Sequence, residues 1–252
     1  MTQLLPRLAP ALFLALIALV WEAASRSGFA DPDVLPPFSH VMVVLWGLVG
    51  SAGFLSDLGL TALEVAVAFL IVVPLGLVAG LYLGEKPEAY RLFAPLLNLL
   101  LSVPKSIFLP IFIFAFGIGF GQKVIYAITL TFFIVVLTGI AAARSVPAGL
   151  VNMARAFGAS KRQIYLEVYL PAMEPLIIEG ARIGFIYTVT GVLIAEMYGS
   201  PRGIGRLMFA WGESFRMSEL LASVVLVVVL TVSVNEVLRW LEDRRQAHRS
   251  RA

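Results

Sequence analysis

Six apolar runs dominate this chain, at residues 8–24, 59–82, 101–117, 123–142, 176–197 and 219–238. A helix rises about 1.5 Å per residue, so roughly 20 apolar residues are what about 30 Å of hydrocarbon requires. The stretch 220–234 is apolar on every side, unlike the alternating strands of about ten residues that build a membrane barrel. Of 252 residues, 60% are hydrophobic and 14% charged, whereas a soluble domain carries about a quarter charged residues. Folded in water, such a chain would expose large apolar patches. The expected fold is therefore an all-α polytopic membrane protein with about six transmembrane helices, forming one domain over residues 1–252. Arg7 before the first run resembles the start of a signal peptide. The following Trp21-Glu22-Ala23-Ala24-Ser25-Arg26 is a poor cleavage site, so a retained helix is expected.

Composition removes several chemistries. The chain has no cysteine, which excludes disulfide frameworks, thiolate metal sites and cysteine nucleophiles. His40 and His248 are too few for a histidine metal cage and sit at opposite ends of the expected topology, so no Ser–His dyad forms. Neither a metal, a cofactor nor an active site is expected. The net charge of +3 does not indicate nucleic acid, because the basic residues are scattered between apolar runs rather than gathered on one face.

Those scattered cations set an orientation instead. With the amino terminus inside, the inner loops hold Arg7, Lys86, Arg91, Arg144, Arg155, Lys161, Arg162, Arg239, Arg244, Arg245, Arg249 and Arg251. The outer loops hold Arg26, Lys123, Arg202, Arg206 and Arg216. This excess satisfies the positive-inside rule and places both termini in the cytosol. The turn at Gly84-Glu85-Lys86-Pro87 carries a helix stop signal. Residues 30–38 hold Pro32, Pro36 and Pro37 and read as extended. Residues 39–50 read as a short amphipathic surface helix, and 198–218 as an outer loop rich in glycine and aromatics. Proline at 74, 104 and 110 predicts kinks.

The longest inner loop, 144–174, is also the most structured. Pro147 suits a first helical turn, and a short helix is predicted through Phe157. Gly158 is placed to end it in the left-handed region. Ser160-Lys161-Arg162-Gln163 then reads as a capping box opening a second helix, with Pro171 breaking or kinking the return to the membrane. Bare connectors run to a few residues. This one presents Met153, Ala156 and Phe157 at a glycine corner, which reads as a docking surface for a cytosolic partner.

The segment Asn152-Met153-Ala154-Arg155-Ala156-Phe157-Gly158-Ala159-Ser160, continuing to Leu170-Pro171-Ala172, resembles the EAA loop of permease subunits of binding-protein-dependent ABC importers. The resemblance extends over nearly the whole chain, and is closest to the sulfonate, nitrate and taurine group. Leu35-Pro36-Pro37, Pro104, Pro110, Phe116-Gly117-Ile118-Gly119, Lys123, Glu179-Gly180-Ala181-Arg182, Ala195-Glu196-Met197, Gly203-Ile204-Gly205 and Arg239-Trp240 fall in the same order. The family's Glu falls here at Asn152 and its first Ala at Met153. Asparagine keeps a hydrogen-bonding side chain but loses the charge, so any pairing with an ATPase arginine is weaker.

The resemblance implies a type I importer permease fold in the cell inner membrane. It implies two cytosolic ATP-binding subunits, a second copy of this chain, and a periplasmic or extracellular solute-binding protein. ATPase coupling would rest on Asn152, Met153, Ala154, Ala156, Phe157, Gly158 and Ser160. The implied cargo is a small, mostly anionic solute of the sulfonate, nitrate, taurine, aromatic carboxylate or thiamine-precursor class. No lysine follows a glycine in this chain, so there is no P-loop and ATP belongs to the partner subunits.

Polar side chains in apolar helices are candidates for the pathway: Tyr126, Thr129, Thr131, Tyr187, Thr188, Thr190 and Glu196. Thr hydroxyls also commonly bond their own helix. Glu64 and Glu196 are intramembrane carboxylates and thus functional candidates, with Glu64 expected to bond between helices or to reach the outer interface. Glu179 and Arg182 are three apart and suited to pair. The competing reading is a gradient-driven secondary transporter or channel subunit, against which stands the lack of a convincing internal repeat.

Overall fold

The structure, a computed structural model, describes residues 5–249, with side chains from 12 to 240. The side chains of Arg7, Arg244, Arg245, His248 and Arg249 lie outside that set, and Arg251 lies outside it altogether. Helices run in the order α1 Leu5–Arg26, α2 Phe38–Val49, α3 Ala52–Glu85, α4 Pro87–Ser102, α5 Leu109–Phe116, α6 Phe120–Ser145, α7 Ala148–Ala156, α8 Lys161–Gln163, α9 Leu170–Met197, α10 Ile204–Glu213 and α11 Met217–Arg249. No strand occurs among the described residues.

The core is a slab of three helices, α3, α6 and α9. Small residues let their backbones approach. A Cβ on Gly76 would meet Val135, one on Gly80 would meet Val136 and Gly139, and one on Gly84 would meet Ala143. Both numbers rise together, so α3 and α6 run parallel. Gly180 faces Thr138, Gly184 faces Val135 and Thr131, and Gly191 faces Ala127, so α9 runs antiparallel to both. In a bilayer, where lipid is as apolar as leucine, such close van der Waals packing is what holds helices together. Val72, Val135, Val192, Ala68 and Ala127 are fully buried in this slab. By contrast α11 shows Val228, Val229, Leu230 and Val232 outward, as a lipid-facing helix does.

At Gly80 the two backbones themselves meet. An added Cβ would stand 2.5 Å from the Val136 carbonyl oxygen and 2.7 Å from the Gly139 Cα, both of them backbone atoms that cannot swing away. Gly80→Leu is expected to destabilise the solubilised protein by about 1–3 kcal/mol, the cost of overpacking. Gly47→Leu, with nothing near its Cβ, is the matched control in a thermal unfolding series.

Four expectations are corrected. Residues 101–117 do not form one span. The helix α4 ends at Ser102, a 3-10 turn covers Lys105–Phe108, and α5 follows, with an 84° bend between the two halves. Pro104 is the cause, since a proline ring disfavours helical geometry in the residue before it, and Val103 is extended at φ −84°, ψ 127°. Pro110 then occupies the first turn of α5, where proline is tolerated, and makes no kink. Pro171 does not break the chain's return either. Lys161–Met197 is one continuous helix, because a wide π turn at Ile164–Tyr169 precedes the proline and the Leu170 N–H donates to the Tyr165 carbonyl five residues back. Such bulges absorb a local mismatch in the ladder. Finally, residues 198–218 are not simply loop, for they contain α10. Its Ile204, Leu207, Met208 and Trp211 recur at helical spacing and pack on Phe54.

The described helices α3, α6, α9 with its extension, and α11 are long and apolar enough to cross a membrane, and the bent α4–α5 pair qualifies as a broken fifth span. The end of α1 is tied down by Trp21 Nε1 donating to the Pro36 carbonyl at 2.9 Å and Ser25 Oγ to the Leu35 carbonyl at 2.7 Å.

Candidate functional site: an elbow and a buried charge cluster at opposite ends of the slab

The elbow lies between α6 and α9. Pro147 precedes the first residue of α7, and the helix ends with a Schellman pattern. The Gly158 N–H donates to the Arg155 carbonyl at 2.9 Å and the Ala159 N–H to the Ala154 carbonyl at 3.0 Å. The corner residue must enter the left-handed region, and Gly158 does so at φ +79° without the penalty a side chain would bring. The next helix opens on a complete capping box: Ser160 Oγ accepts from the Gln163 N–H while the Gln163 side chain accepts from the Ser160 N–H. Two consecutive caps fix the angle between α7 and the chain that follows.

That geometry leaves Asn152, Met153, Ala156, Phe157, Gly158 and Ser160 exposed, with Ala154 half-buried. Val151 alone anchors α7 inward, at 5% exposure. Phe157 is 86% exposed and Met153 54%, apolar surface of a kind that usually marks a contact site. Both line a groove of about 430 Å³ with Leu150, Ala154, Val168 and Pro171. Tyr165, on the neighbouring π turn, donates a hydrogen bond to Glu85 at the end of α3.

The opposite end holds a buried charge cluster. Glu64 of α3, Lys123 of α6 and Glu196 of α9 are all buried. Lys123 is in direct ion-pair contact with Glu64, stands 3.8 Å from Glu196 Oε1 and donates to Ser200 Oγ at 3.1 Å. Glu196 Oε1 also accepts from Thr61 Oγ1 at 2.8 Å, and its Oε2 accepts from the Gly205 N–H at 2.7 Å. The Thr61 hydroxyl in turn accepts from the Ile204 N–H at 3.0 Å. Gly203-Ile204-Gly205 is thus wrapped around a carboxylate. A Cβ on Gly205 would be 2.5 Å from the Leu193 carbonyl oxygen, and one on Gly203 would run into the Glu196 carboxylate. Arg202 reinforces the corner from outside, with Nε 3.2 Å from Asp57 Oδ1 and Nη2 donating to Ser56 Oγ at 2.6 Å.

Lys123 is therefore not a loop cation, and Glu64 does not reach an interface. Each neutralises the other inside the slab, where an unpaired charge is far too costly to persist. No carboxylate or imidazole cluster suited to a metal occurs among the described residues. What the charge cluster does is fasten the 198–205 corner to three helices at once.

The polar pathway candidates divide by exposure. Tyr126, Thr131, Thr188 and Glu196 are buried within this chain. Thr131 and Thr188 face each other, oxygens 3.3 Å apart. Thr129 is half-buried and bonds its own helix at Ile125. Tyr187 and Thr190 lie on the exposed face of α9. Glu179 and Arg182 pair at 3.1 Å, and Arg182 also donates to Asn235 of α11 at 3.0 Å. Reasoning from sequence misses the roles of Lys123 and Thr61, because their partners are remote in the chain: Ser200 is 77 residues from Lys123 and Ile204 is 143 from Thr61.

Residues 72–247 match the family described as the binding-protein-dependent transport system inner membrane component. The taurine transport system permease protein TauC of Escherichia coli strain K12 is 27% identical, the alignment covering 92% of this chain and 86% of that protein. The putative aliphatic sulfonates transport permease protein SsuC of Bacillus subtilis strain 168 is 26% identical, over 91% of this chain and 83% of its own length. The formylaminopyrimidine transport permease protein ThiX of Halalkalibacterium halodurans is 26% identical over 79% of this chain and 78% of its own. In three dimensions, a chain of the MetNI methionine ABC transporter in an inward facing conformation superposes with a TM-score of 0.58 at 22% identity, covering 83% of this chain and 96% of that one.

Proposed function

This chain belongs to the family of binding-protein-dependent transport system inner membrane components, and on that premise we propose how its two ends share the work of import. It is the membrane-spanning translocation subunit of an ABC importer, not itself an enzyme, and works with separate ATP-binding subunits and a solute-binding protein.

The observation that carries the finer reading is the doubly capped elbow with Phe157 exposed. We assign Asn152, Met153, Ala154, Ala156, Phe157, Gly158 and Ser160 to ATPase contact. Asn152 brings no charge, so the contact rests on shape and on the apolar Met153 and Phe157. The elbow end faces the cytosol in this reading, as do both termini. The helix Lys161–Met197 leads from the elbow to the Glu196 cluster, a path of about 55 Å at 1.5 Å per residue. A displacement of the elbow is thereby delivered to the corner where the opposite face opens.

Two copies of the chain enclose the pathway, since one slab of three helices has no lumen and closed two-fold assembly is the commonest solution. Tyr187 and Thr190 line it from α9, and the half-buried Thr129 contributes from α6. Tyr126, Thr131, Thr188 and Glu196 support it from behind. The cargo is a small anionic solute of the sulfonate or taurine class, a reading supported by relatives named for such solutes; nitrate, aromatic carboxylate and thiamine-precursor solutes fall within the same range.

Native mass spectrometry of the complex isolated through a tag on this chain tests the assembly. The expected mass is two copies of this chain with two P-loop ATPase subunits. A homodimer without ATPases, together with uptake that survives ATP depletion and collapses with the proton gradient, would replace this reading with the gradient-driven carrier.

A further inference from the structure

We infer that the groove between α3, α4 and α6 is a binding site for an anionic phospholipid, with an acyl chain in the groove and the phosphate at Lys86 and Arg144. The groove has a volume of about 620 Å³ and its walls include Leu75, Tyr82, Leu97, Phe133 and Val136. Its wall on α3 from Leu75 to Leu83 is about 12 Å long at 1.5 Å per residue, a stretch that a lipid tail can follow. The floor is the buried cluster of Leu83, Leu97, Val136 and Ile140, so the cleft is formed by packed side chains rather than by a gap in a loop.

The elbow end of the groove is cationic. Lys86 Nζ lies 4.5 Å over the Tyr82 ring, which is itself a wall of the groove. Arg144 lies 3.8 Å over Tyr90, which packs on the groove floor. Both cations are exposed, and among the described residues neither forms an ion pair. Glu85 and Glu88 are nearby in sequence, but Glu85 is engaged by Tyr165. Two cations held by aromatic faces rather than by ion pairs, at the mouth of an apolar cleft, match the chemistry of a phosphate joined to a hydrocarbon tail. A second copy of the chain fits this surface poorly. A two-fold interface presents the same patch from both sides, so burying this surface would gather four cations, Lys86 and Arg144 of each copy, into one interface.

The experiment is native mass spectrometry of the delipidated complex with its ATPase subunits, titrated with phosphatidylglycerol or with phosphatidylcholine of identical chains. Retention of phosphatidylglycerol should exceed phosphatidylcholine by roughly fivefold per cation, about 30-fold for the pair. The double variant Lys86→Gln, Arg144→Gln should abolish that preference, and Ala79→Phe, which fills the cleft, should lower retention of both lipids. Equal retention of the two lipids by the unmodified complex would overturn the site, as would an unchanged preference in the double variant. So would displacement of phosphatidylglycerol by glycerophosphate at equal concentration, which would mean that the groove contributes nothing. If Ala79→Phe instead splits the permease dimer and leaves lipid retention intact, the groove belongs to a second copy and the proposal fails. The charge variants are on the surface and do not disturb the core, so they decide the matter even where Ala79→Phe folds poorly.

Discussion

Replacing Lys123 with methionine should cost the protein about 3–5 kcal/mol of stability, the penalty for stripping one partner from a buried ion pair. The Lys123 side chain is 4% exposed and both carboxylate side chains are fully buried. Without it Glu64 and Glu196 are left facing each other in a membrane interior, and water cannot reach them. Glu196 keeps the Thr61 hydroxyl and the Gly205 N–H. Glu64 has no comparable donor besides Lys123 among the described residues. The melting temperature of the solubilised protein should fall by on the order of 10 °C. The double variant Glu64→Gln, Lys123→Met should recover more than half of the loss, because a neutral amide needs no counter-charge. If the single and double variants melt alike, lost packing rather than lost charge is responsible, and the cluster is not the fastening described above. The corner it fastens also gives a local readout, since proteolysis or amide exchange across 198–205 should rise in the single variant and return toward normal in the double.

The reason this cluster was only half legible in the sequence is physical. Glu64 and Glu196 announce themselves, since a carboxylate in an apolar run is expensive and must have a partner. The partner's identity depends on depth along three different helices, which local periodicity does not encode. Lys123 reads as a loop charge because it begins an apolar run, where a snorkelling cation is the ordinary case. Depth would have been the usable signal, because Glu64, Lys123 and Glu196 all fall in the half of their helices that lies toward the same end of the slab. Local rules served better where the structure is local. The Gly158 corner and the Ser160–Gln163 capping box rest on neighbours within five residues, and both stand in the structure as the spacing predicts. The break at Pro104 is hard to see in the sequence for the opposite reason. Hydropathy integrates over a whole run and does not see that one residue, Val103, has been forced into extended geometry. Likewise α10 hid inside a segment whose glycines and aromatics suggested loop, although Ile204, Leu207, Met208 and Trp211 already carried a helical period.

Gly158→Pro should uncouple the subunit from its ATPases while leaving its membrane domain intact. Proline fixes φ near −65°, whereas the corner needs +79°, and it removes the N–H that donates to Arg155. The corner must then open, and the angle set between α7 and the helix beginning at Lys161 is lost. Forcing a residue out of its allowed region costs roughly 1–3 kcal/mol. The chain relieves that cost by moving the elbow, because α7 is anchored through little more than Val151. ATPase co-purification and ATP-driven uptake in proteoliposomes should both fall by tenfold or more, the factor that about 1.4 kcal/mol of lost docking energy gives. The melting temperature of the isolated permease should change little, since the α3–α6–α9 slab does not include the elbow. Gly158→Asn, a residue that tolerates the left-handed region, should retain most activity. Phe157→Ala should weaken coupling without altering the corner, because it removes a side chain that is 86% exposed and has little of its own chain to pack against. The two variants separate shape from contact. Unchanged coupling in both Gly158→Pro and Phe157→Ala would mean that neither the elbow's angle nor its apolar tip transmits the stroke, and the assignment of residues 152–160 would be wrong.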